Sequence, residues 1–522
     1  MSFFGHSFFK HTTKTNAENN NANSYQKSVE KTTSSQNTRH PSEFIPTNNE
    51  TAGLTGSFQT RDKEEHFHQM KRSISQASVK RRLKAAGLDR ENFGEVIAAQ
   101  IGRKLLKECL VPDVFPVYGS SNDGVYVASR YLGSKKNPAI TLDKFAKEFD
   151  VTLSGPHVRV ISNKYPRRDK GEITLDYAPG LKRDLCTAIV FSAVIGDHDI
   201  NPGNMMVFRD DEGKKRIARI DFGHAFNDLL KCSQVNGGEV RDTKYPILDF
   251  FNRSEVGGIL GAQSKLWRDY PDFILCEEMV DALRTMSKNF DAKVQEGIEA
   301  SKTHFIDLIE DMDNNNDTGG VDHVRKSLDA ICPEVITENS GALQESMETL
   351  TESPRASTES IGTSTESIGA SDENNDPLYL DLIFDKIEHF VKEQGKNLEH
   401  IANVMALQIA IDNALKGKGS FHKIKELYKQ FDGILPKTDE KIHWIKSGVH
   451  YESKFCTIEE FMTQRAKELI IENPKEKHKI RNNTHYIFTM CQFNSTLKFK
   501  ESLNIQKGAS QLEEEKTLNI NT

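Results

Sequence analysis

Ile195-Gly196-Asp197-His198-Asp199-Ile200-Asn201-Pro202-Gly203-Asn204, followed by Arg219-Ile220-Asp221-Phe222-Gly223-His224, is the stretch on which the reading of this chain turns. Between the two segments lie two short apolar runs, Met205 to Phe208 and Ile217 to Ile220, separated by the charged residues Arg209 to Arg216 with a Glu212-Gly213 turn signal. Short runs on either side of a glycine turn predict a β-hairpin. A hairpin brings its ends together, so Asn204, just before the first strand, and Asp221, just after the second, come close. Hard oxygen ligands at one point suit Mg²⁺, which keeps positions open for substrate phosphates. Asp199, five residues ahead of Asn204, has the spacing to accept the proton of an attacking hydroxyl.

Taken together and in this order, these residues point to a phosphotransferase, which needs an upstream glycine turn, a strand lysine and a helix glutamate. Gly53-Leu54-Thr55-Gly56-Ser57 is a glycine loop whose backbone N–H groups can meet phosphate oxygens, with Gly53, Thr55, Gly56 and Ser57 as its contacts. Glu65 to Lys71 alternates as a strand does and ends at Lys71, the candidate lysine, with Lys80 and Lys84 as competitors. A helix predicted from near Asn92 carries Glu95 in its first turn and Val96, Ile97, Ala99, Ile101 and Leu105 on its buried face. Glu95 can then pair with Lys71, although the helix dipole alone also favours an acid at a helix start. Val111 to Val117 and Gly124 to Leu132 read as two more strands. If the chain is a phosphotransferase, the second would run into the hinge between lobes whose backbone groups normally hold adenine, with Ser129 as its candidate nucleotide contact.

Composition divides the rest. Hydrophobic residues make up 36% of the 522 positions, below what a wholly folded chain carries, so part of it is expected to be unfolded. Residues 11 to about 50 are Asn, Ser, Thr, Lys and Gln with almost no aliphatics, and they read as a disordered tail over 1–50. A catalytic domain follows over 51–335, then an acidic low-complexity linker over 336–376 containing STESIG at Ser357 and again at Ser364. Helical spacing at Leu380, Ile383, Phe384, Ile387 and Val391 opens a helical accessory and targeting domain over 377–505, and 506–522 is an acidic tail. The expected fold class is therefore α+β, with a small β-rich N-lobe and a larger helical C-lobe followed by an α-helical domain.

The net charge of −7 gives no global case for nucleic acid as a partner. Seven scattered cysteines without a CxxC pair argue against a disulfide scaffold or structural zinc and suit a reducing compartment. Cys186 to Ile195, the most apolar run, is about half the length of a membrane-spanning helix, and the N-terminus carries no signal-peptide pattern.

Residues 53 to 332 resemble the atypical kinases near the phosphoinositide kinase and HipA-like branches, and most of all the Legionella type IV secreted effector kinases. The residues that carry the resemblance are FGEVIAAQIGRKLL with VPDVFPVY (93–118), GDHDINPGNMMV (196–207) and RIDFGHAFNDLL (219–230). It implies a two-lobed atypical kinase fold, ATP and Mg²⁺ as cofactors, Asp199 as base, Asn204 and Asp221 as metal ligands, Lys71 on phosphate and Glu95 as its partner. Asp197 is a rival base, because lipid kinases have a Gly-Asp pair here. DINPGN is similar to the protein kinase loop and implies a Ser/Thr acceptor on a host protein, whereas Asp-Phe-Gly-His-Ala-Phe looks like the phosphoinositide kinase motif and implies a lipid acceptor. No Ala-Pro-Glu signature follows. A pseudokinase scaffold is the third reading.

The resemblance also implies activation by inositol hexakisphosphate. The basic clusters Lys80, Arg81, Arg82 with Lys84, and Lys164, Arg167, Arg168, Lys170 with Lys182 and Arg183, are the candidate polyphosphate site. The same patch, or the C-terminal helices, could meet membrane phosphoinositides. Glu513-Glu514-Glu515 is similar to the glutamate-rich block of type IV secretion signals, which implies delivery into a host cell, to its cytosol or a membrane surface.

Overall fold

The structure is a computed structural model that describes residues 39–50, 57–72, 89–119, 125–133, 137–148, 151–152, 173–174, 179–226, 229, 246–251, 270–332, 377–430, 442–445 and 455–490. The fold is mixed α+β, with a β-sheet N-terminal region and a larger helical C-terminal region, as the expected α+β class requires. Two compact units are present, and the chain passes between them repeatedly. One gathers described residues from 1–101, 112–132 and 296–386, and the other from 102–111, 133–295 and 387–522.

The first unit is built on a five-stranded antiparallel sheet of β1 (Ile45–Glu50), β2 (Phe58–Arg61), β3 (Phe67–Arg72), β4 (Val114–Tyr118) and β5 (Val125–Arg130), in the order β1-β2-β3-β5-β4. The strand expected to end at Lys71 is β3, and the two strands expected after the helix are β4 and β5. The tail expected to be disordered through residue 50 is corrected over 39–50. Phe44 is buried with Met70, Phe115, Val117 and Ala128, and β1 pairs with β2, so one aromatic anchor and a strand partner offset the ordering cost of a polar segment.

Helix α1 (Arg90–Leu105) buries Val96, Ile97, Ala99, Ile101 and Leu105 as its apolar spacing predicts, and also Phe93 and the polar Asn92, Glu95 and Gln100, so its burial is not confined to one face. It begins at Arg90, ahead of the expected Asn92, which moves Glu95 to the second turn, beyond the reach of the helix dipole. In the same unit a helix that begins at Phe290 crosses α1 where Gly297 lies so near that a Cβ would sit 2.5 Å from the Cα of Ile101.

The second unit starts with small elements, β6 (Ile140–Thr141), α2 (Leu142–Glu148) and the parallel pair β7 (Val151–Thr152) and β8 (Ile173–Thr174). Helix α3 (Pro179–Val194) contains the most apolar run of the sequence and is buried along nearly its whole length from Leu185 onward. It delivers the chain to the loop at Gly196. The expected hairpin is present as β9 (Met205–Arg209) and β10 (Lys215–Arg219), with Met205 opposite Arg219, and β6 adds to the β9 edge. Asp184 on α3 holds Arg216 on β10 through two bonds of 2.7 and 2.9 Å, and its carboxylate also accepts the Ile217 N–H. This fork–fork pairing fixes the hairpin on the helix.

The helices after β10 include α4 (Pro246–Phe251), α5 (Pro271–Ile274), α6 (Glu277–Met286) and α7 (Phe290–Asn314), then α8 (Thr318–Asp329), α9 (Pro377–Gln394) and α10 (Leu398–Leu415). Within the second unit α10 packs along α6, and Arg284 donates to Asn403 at 3.0 Å. The chain closes with α11 (Phe421–Gln430), the pair β11 (Ile442–His443) and β12 (Phe455–Cys456), α12 (Ile458–Glu472) and α13 (Lys477–Met490). Their core includes Trp444 stacked on Phe461, with ring centroids 4.2 Å apart. The expected linker and the Glu513 run lie outside the described residues.

Candidate active site

In the second unit the turn from α3 into β9 is held from inside. Asp197 is fully buried and its carboxylate meets the guanidinium of Arg219, also fully buried, at 2.6 Å. The other Asp197 oxygen accepts the Asp199 N–H at 2.8 Å. Arg219 donates further to the carbonyls of Asn204 at 3.1 Å, Asp199 at 3.1 Å and Asp221 at 3.2 Å, to that of Ile220, and to the Ser192 hydroxyl at 3.2 Å. One side chain thus gathers the backbone of all three residues singled out in the sequence. Its charge is matched by Asp197, which is what allows both to be buried.

Around that hub the functional side chains are ordered by short-range bonds. Asn201 caps a single 3₁₀ turn, Pro202–Asn204, by accepting the Gly203 N–H at 2.8 Å. Asn204 donates its side-chain amide to the Asp199 carboxylate at 2.9 Å and to the Asp199 carbonyl at 3.0 Å. The second carboxylate oxygen of Asp199 accepts from Asn201 at 3.0 Å. With its nitrogen so engaged, Asn204 turns Oδ1 away from Asp199, and an amide oxygen is a suitable ligand for a hard cation. The Ile220 N–H bonds the Asn204 carbonyl at 3.0 Å, which brings the residue before β9 beside the one that precedes Asp221.

Asp221 has φ 57°, a left-handed conformation uncommon for a residue with a Cβ, and it is solvent-exposed. Phe222 is fully buried, edge-on to Phe191 at 5.6 Å with the Arg219 guanidinium 5.3 Å from its ring, and Phe226 returns an N–H to the Ile195 carbonyl at 2.8 Å. Buried aromatics anchor the segment on both sides of the strained aspartate, so the carboxylate is presented to solvent from a fixed backbone. The backbones of Asp199, Asn204 and Asp221 thus converge on Arg219, and their side chains carry carboxylate and amide oxygens, the donor type that Mg²⁺ takes.

In the first unit Lys71 on β3 and Glu95 on α1 form an ion pair, with Glu95 2% exposed and Lys71 13% exposed. A buried acid whose partner is a strand lysine is neutralised and held in place. Ser57 is buried and accepts from the Gln69 amide at 3.1 Å, so its hydroxyl is tied to β3. Ser129 sits on β5 opposite Gln69 on one side and Val114 on the other. Gly53, Thr55, Gly56, Lys80, Arg81, Arg82, Lys84, Lys164, Arg167, Arg168 and Lys170 lie outside the described residues. Lys182 bonds Glu278 at 3.2 Å, and Arg183 is exposed beside it on α3.

Sequence reasoning missed Arg219 and gave Asp197 the wrong kind of importance. The available signal was an arginine inside an apolar strand, IARI, where a charge demands a buried partner. It also missed the cluster at the β2–β3 turn of the first unit. There buried Asp62 accepts from His68 at 2.9 Å, lies 3.3 Å from His66, and faces Arg39 at 3.6 Å.

Residues 180–239 match the family described as LepB N-terminal domain, a span that runs from α3 through the loop and hairpin to beyond Asp221. No curated protein matches the chain. Among solved structures the chain is similar to the Helicobacter pylori proinflammatory kinase CtkA, at 14% identity and a TM-score of 0.31, over 58% of this chain and 99% of that one. At that TM-score no residue role is carried over from it.

Proposed function

We propose that the chain is a phosphotransferase that uses ATP and Mg²⁺ to phosphorylate a hydroxyl acceptor. The observation that carries this reading is the Asp199 carboxylate bonded to the Asn204 amide at the foot of a hairpin whose other end presents Asp221. Asp199 would take the proton of the attacking hydroxyl. Asn204, through Oδ1, and Asp221 would hold the metal, which when bound neutralises charge on the transferring phosphates. Lys71 would contact phosphate oxygens, with Glu95 fixing its ammonium, as the ion pair between them supports.

A protein Ser/Thr hydroxyl is the acceptor put forward, on the Asp, Pro and Asn spacing of the loop. The Asp-Phe-Gly-His-Ala-Phe continuation favours the second reading, a phosphoinositide. Incubation with labelled ATP and Mg²⁺, with a generic protein or with mixed phosphoinositides, separates the two; label in lipid alone removes the first. Asp221→Asn and Asp199→Asn are expected to abolish transfer, and a variant Asp221→Ala that still binds Mg²⁺-ATP and transfers phosphate would overturn the kinase reading. Adding inositol hexakisphosphate tests the proposed activation, and an unchanged rate removes it. Type IV delivery into a host cell belongs to the same proposal and rests on Glu513 to Glu515.

A further inference from the structure

Two thiols of the second unit lie beside each other and outside the machinery described above. Cys186, in the middle of α3, and Cys276, the residue that caps the N-terminus of α6, have their sulfurs 3.7 Å apart. Both are buried, and Cys276 also points at the Phe273 carbonyl, 3.4 Å away. A disulfide requires about 2.05 Å, so the sulfurs need to close by less than the length of one C–S bond. The two elements they belong to pack directly on each other.

Access is asymmetric. Cys276, Lys182 and Glu278 line a cavity of about 360 Å³ that also reaches Gln408, Asp412 and Arg465, whereas Cys186 lies behind Cys276 and is not among the lining residues. The charged groups facing the pair are Lys182 and Glu278, bonded to each other at 3.2 Å, with the Glu278 carboxylate also accepting from the Cys276 thiol, and Glu277 adds to the charged lining of the cavity. Cys276 additionally sits at the start of a ten-residue helix, on the cavity side of the pair. Burial, together with Cys276, pushes the Cys186 thiol well above its ordinary value and keeps it protonated.

We propose that Cys186 and Cys276 are a modification site, a dithiol that a small peroxide entering the cavity converts to an intramolecular disulfide. The Cys276 sulfur attacks one peroxide oxygen; the O–O bond breaks, a sulfenic acid forms, and the departing hydroxide takes the Cys276 thiol proton and leaves as water. The Cys186 sulfur then attacks the Cys276 sulfur, the S–O bond breaks, and the leaving hydroxide takes the Cys186 proton as a second water. Two thiols are oxidised by two electrons and one peroxide is reduced. The bond would fasten α3, whose last turn runs into the loop at Gly196, to the segment between α5 and α6. The inference is independent of the phosphotransfer reading, because its readout is covalent.

The test treats the folded full-length chain with hydrogen peroxide, blocks remaining thiols with an alkylating agent, and maps peptides by mass spectrometry. A Cys186–Cys276 crosslinked peptide two hydrogens lighter than its parts, lost on adding dithiothreitol, is the expected result. In Cys186→Ser the crosslink is replaced by over-oxidation of Cys276, and Cys186→Ala serves if the serine variant does not fold. Failure of the wild-type chain to form this crosslink under conditions that oxidise Cys109, which is only half-buried, overturns the proposal. So does a crosslink that appears only once the chain has been unfolded in urea.

Discussion

Asp197 and Asp199 are separated by one residue and surrounded quite differently. Asp197 has no exposed surface and spends its charge on Arg219, whereas Asp199 is half-buried and bonded to two amide side chains. Removing the first leaves a guanidinium buried without its counter-charge, and Asp197→Ala is expected to cost about 3–5 kcal/mol of stability. Asp199→Ala removes neutral-partner hydrogen bonds near solvent and should cost about 1 kcal/mol or less, while lowering phosphate transfer at least ~100-fold. Urea denaturation beside a transfer assay separates the two; equal stability losses would mean that the ion pair is not what holds the loop. Spacing along the chain made the hairpin legible, and with it the approach of Asn204 to the residue before Asp221, because a hairpin joins its own ends. The hub was not legible, because the bonds of Arg219 to four carbonyls depend on where the backbone goes and not on which side chains it carries.

At the scale of elements, α1 and α7 approach through Gly297 with no side chain between them. Gly297→Ala would place a methyl group against the Ile101 backbone, which cannot move as a side-chain tip can. The helices must separate, at about 1–3 kcal/mol, and a thermal melt reads the loss; a gain in stability, as an unstrained helical Gly→Ala gives, would contradict the contact. The β2–β3 hairpin has a different vulnerability. Burial would raise the Asp62 carboxyl, but its bonds from His68 and the His66 amide, with the charges of both rings, bring it down to about 2. Burial also lowers His68 from 6.5, against the opposing pull of Asp62. Both folded values are depressed, so both groups stabilise the fold above their unfolded values. The His68 contribution is lost as pH falls below 6.5, and that of Asp62 as pH falls from 3.8 toward 2. His68→Gln keeps a donor to Asp62 and should flatten the decline in urea midpoint between pH 7 and 5; an unchanged slope would assign that decline to other histidines. Strand and helix periods announced β3, β4, β5, α1 and the hairpin, whereas β1 was hidden by a polar sequence that pairs through its backbone.

For the molecule as a whole, composition located a break near residue 336 and suggested an independent helical domain after it. The interior does not respect that break, because α10 covers α6, and the Phe290 ring lies so close to Gly395 that a Cβ there would collide with it. A chain ending at residue 335 should expose the α6 face and aggregate or melt well below the full-length protein, as size-exclusion chromatography and a thermal melt would reveal; a monodisperse fragment of undiminished Tm would restore the independent domain. Hydrophobic period marks which face of a helix is buried but not which partner buries it, and that is why the pairing of α6 with α10 could not be read. The interleaving of the two units also bears on how a ribosome delivers the chain. The sheet is synthesised first yet waits for α7 and α8, and the loop at Gly196 emerges long before the helices that close its own unit. Neither unit is completed in order of synthesis, so apolar surface of the sheet and of the loop's unit stays uncovered in the nascent chain until the later helices of each unit are made.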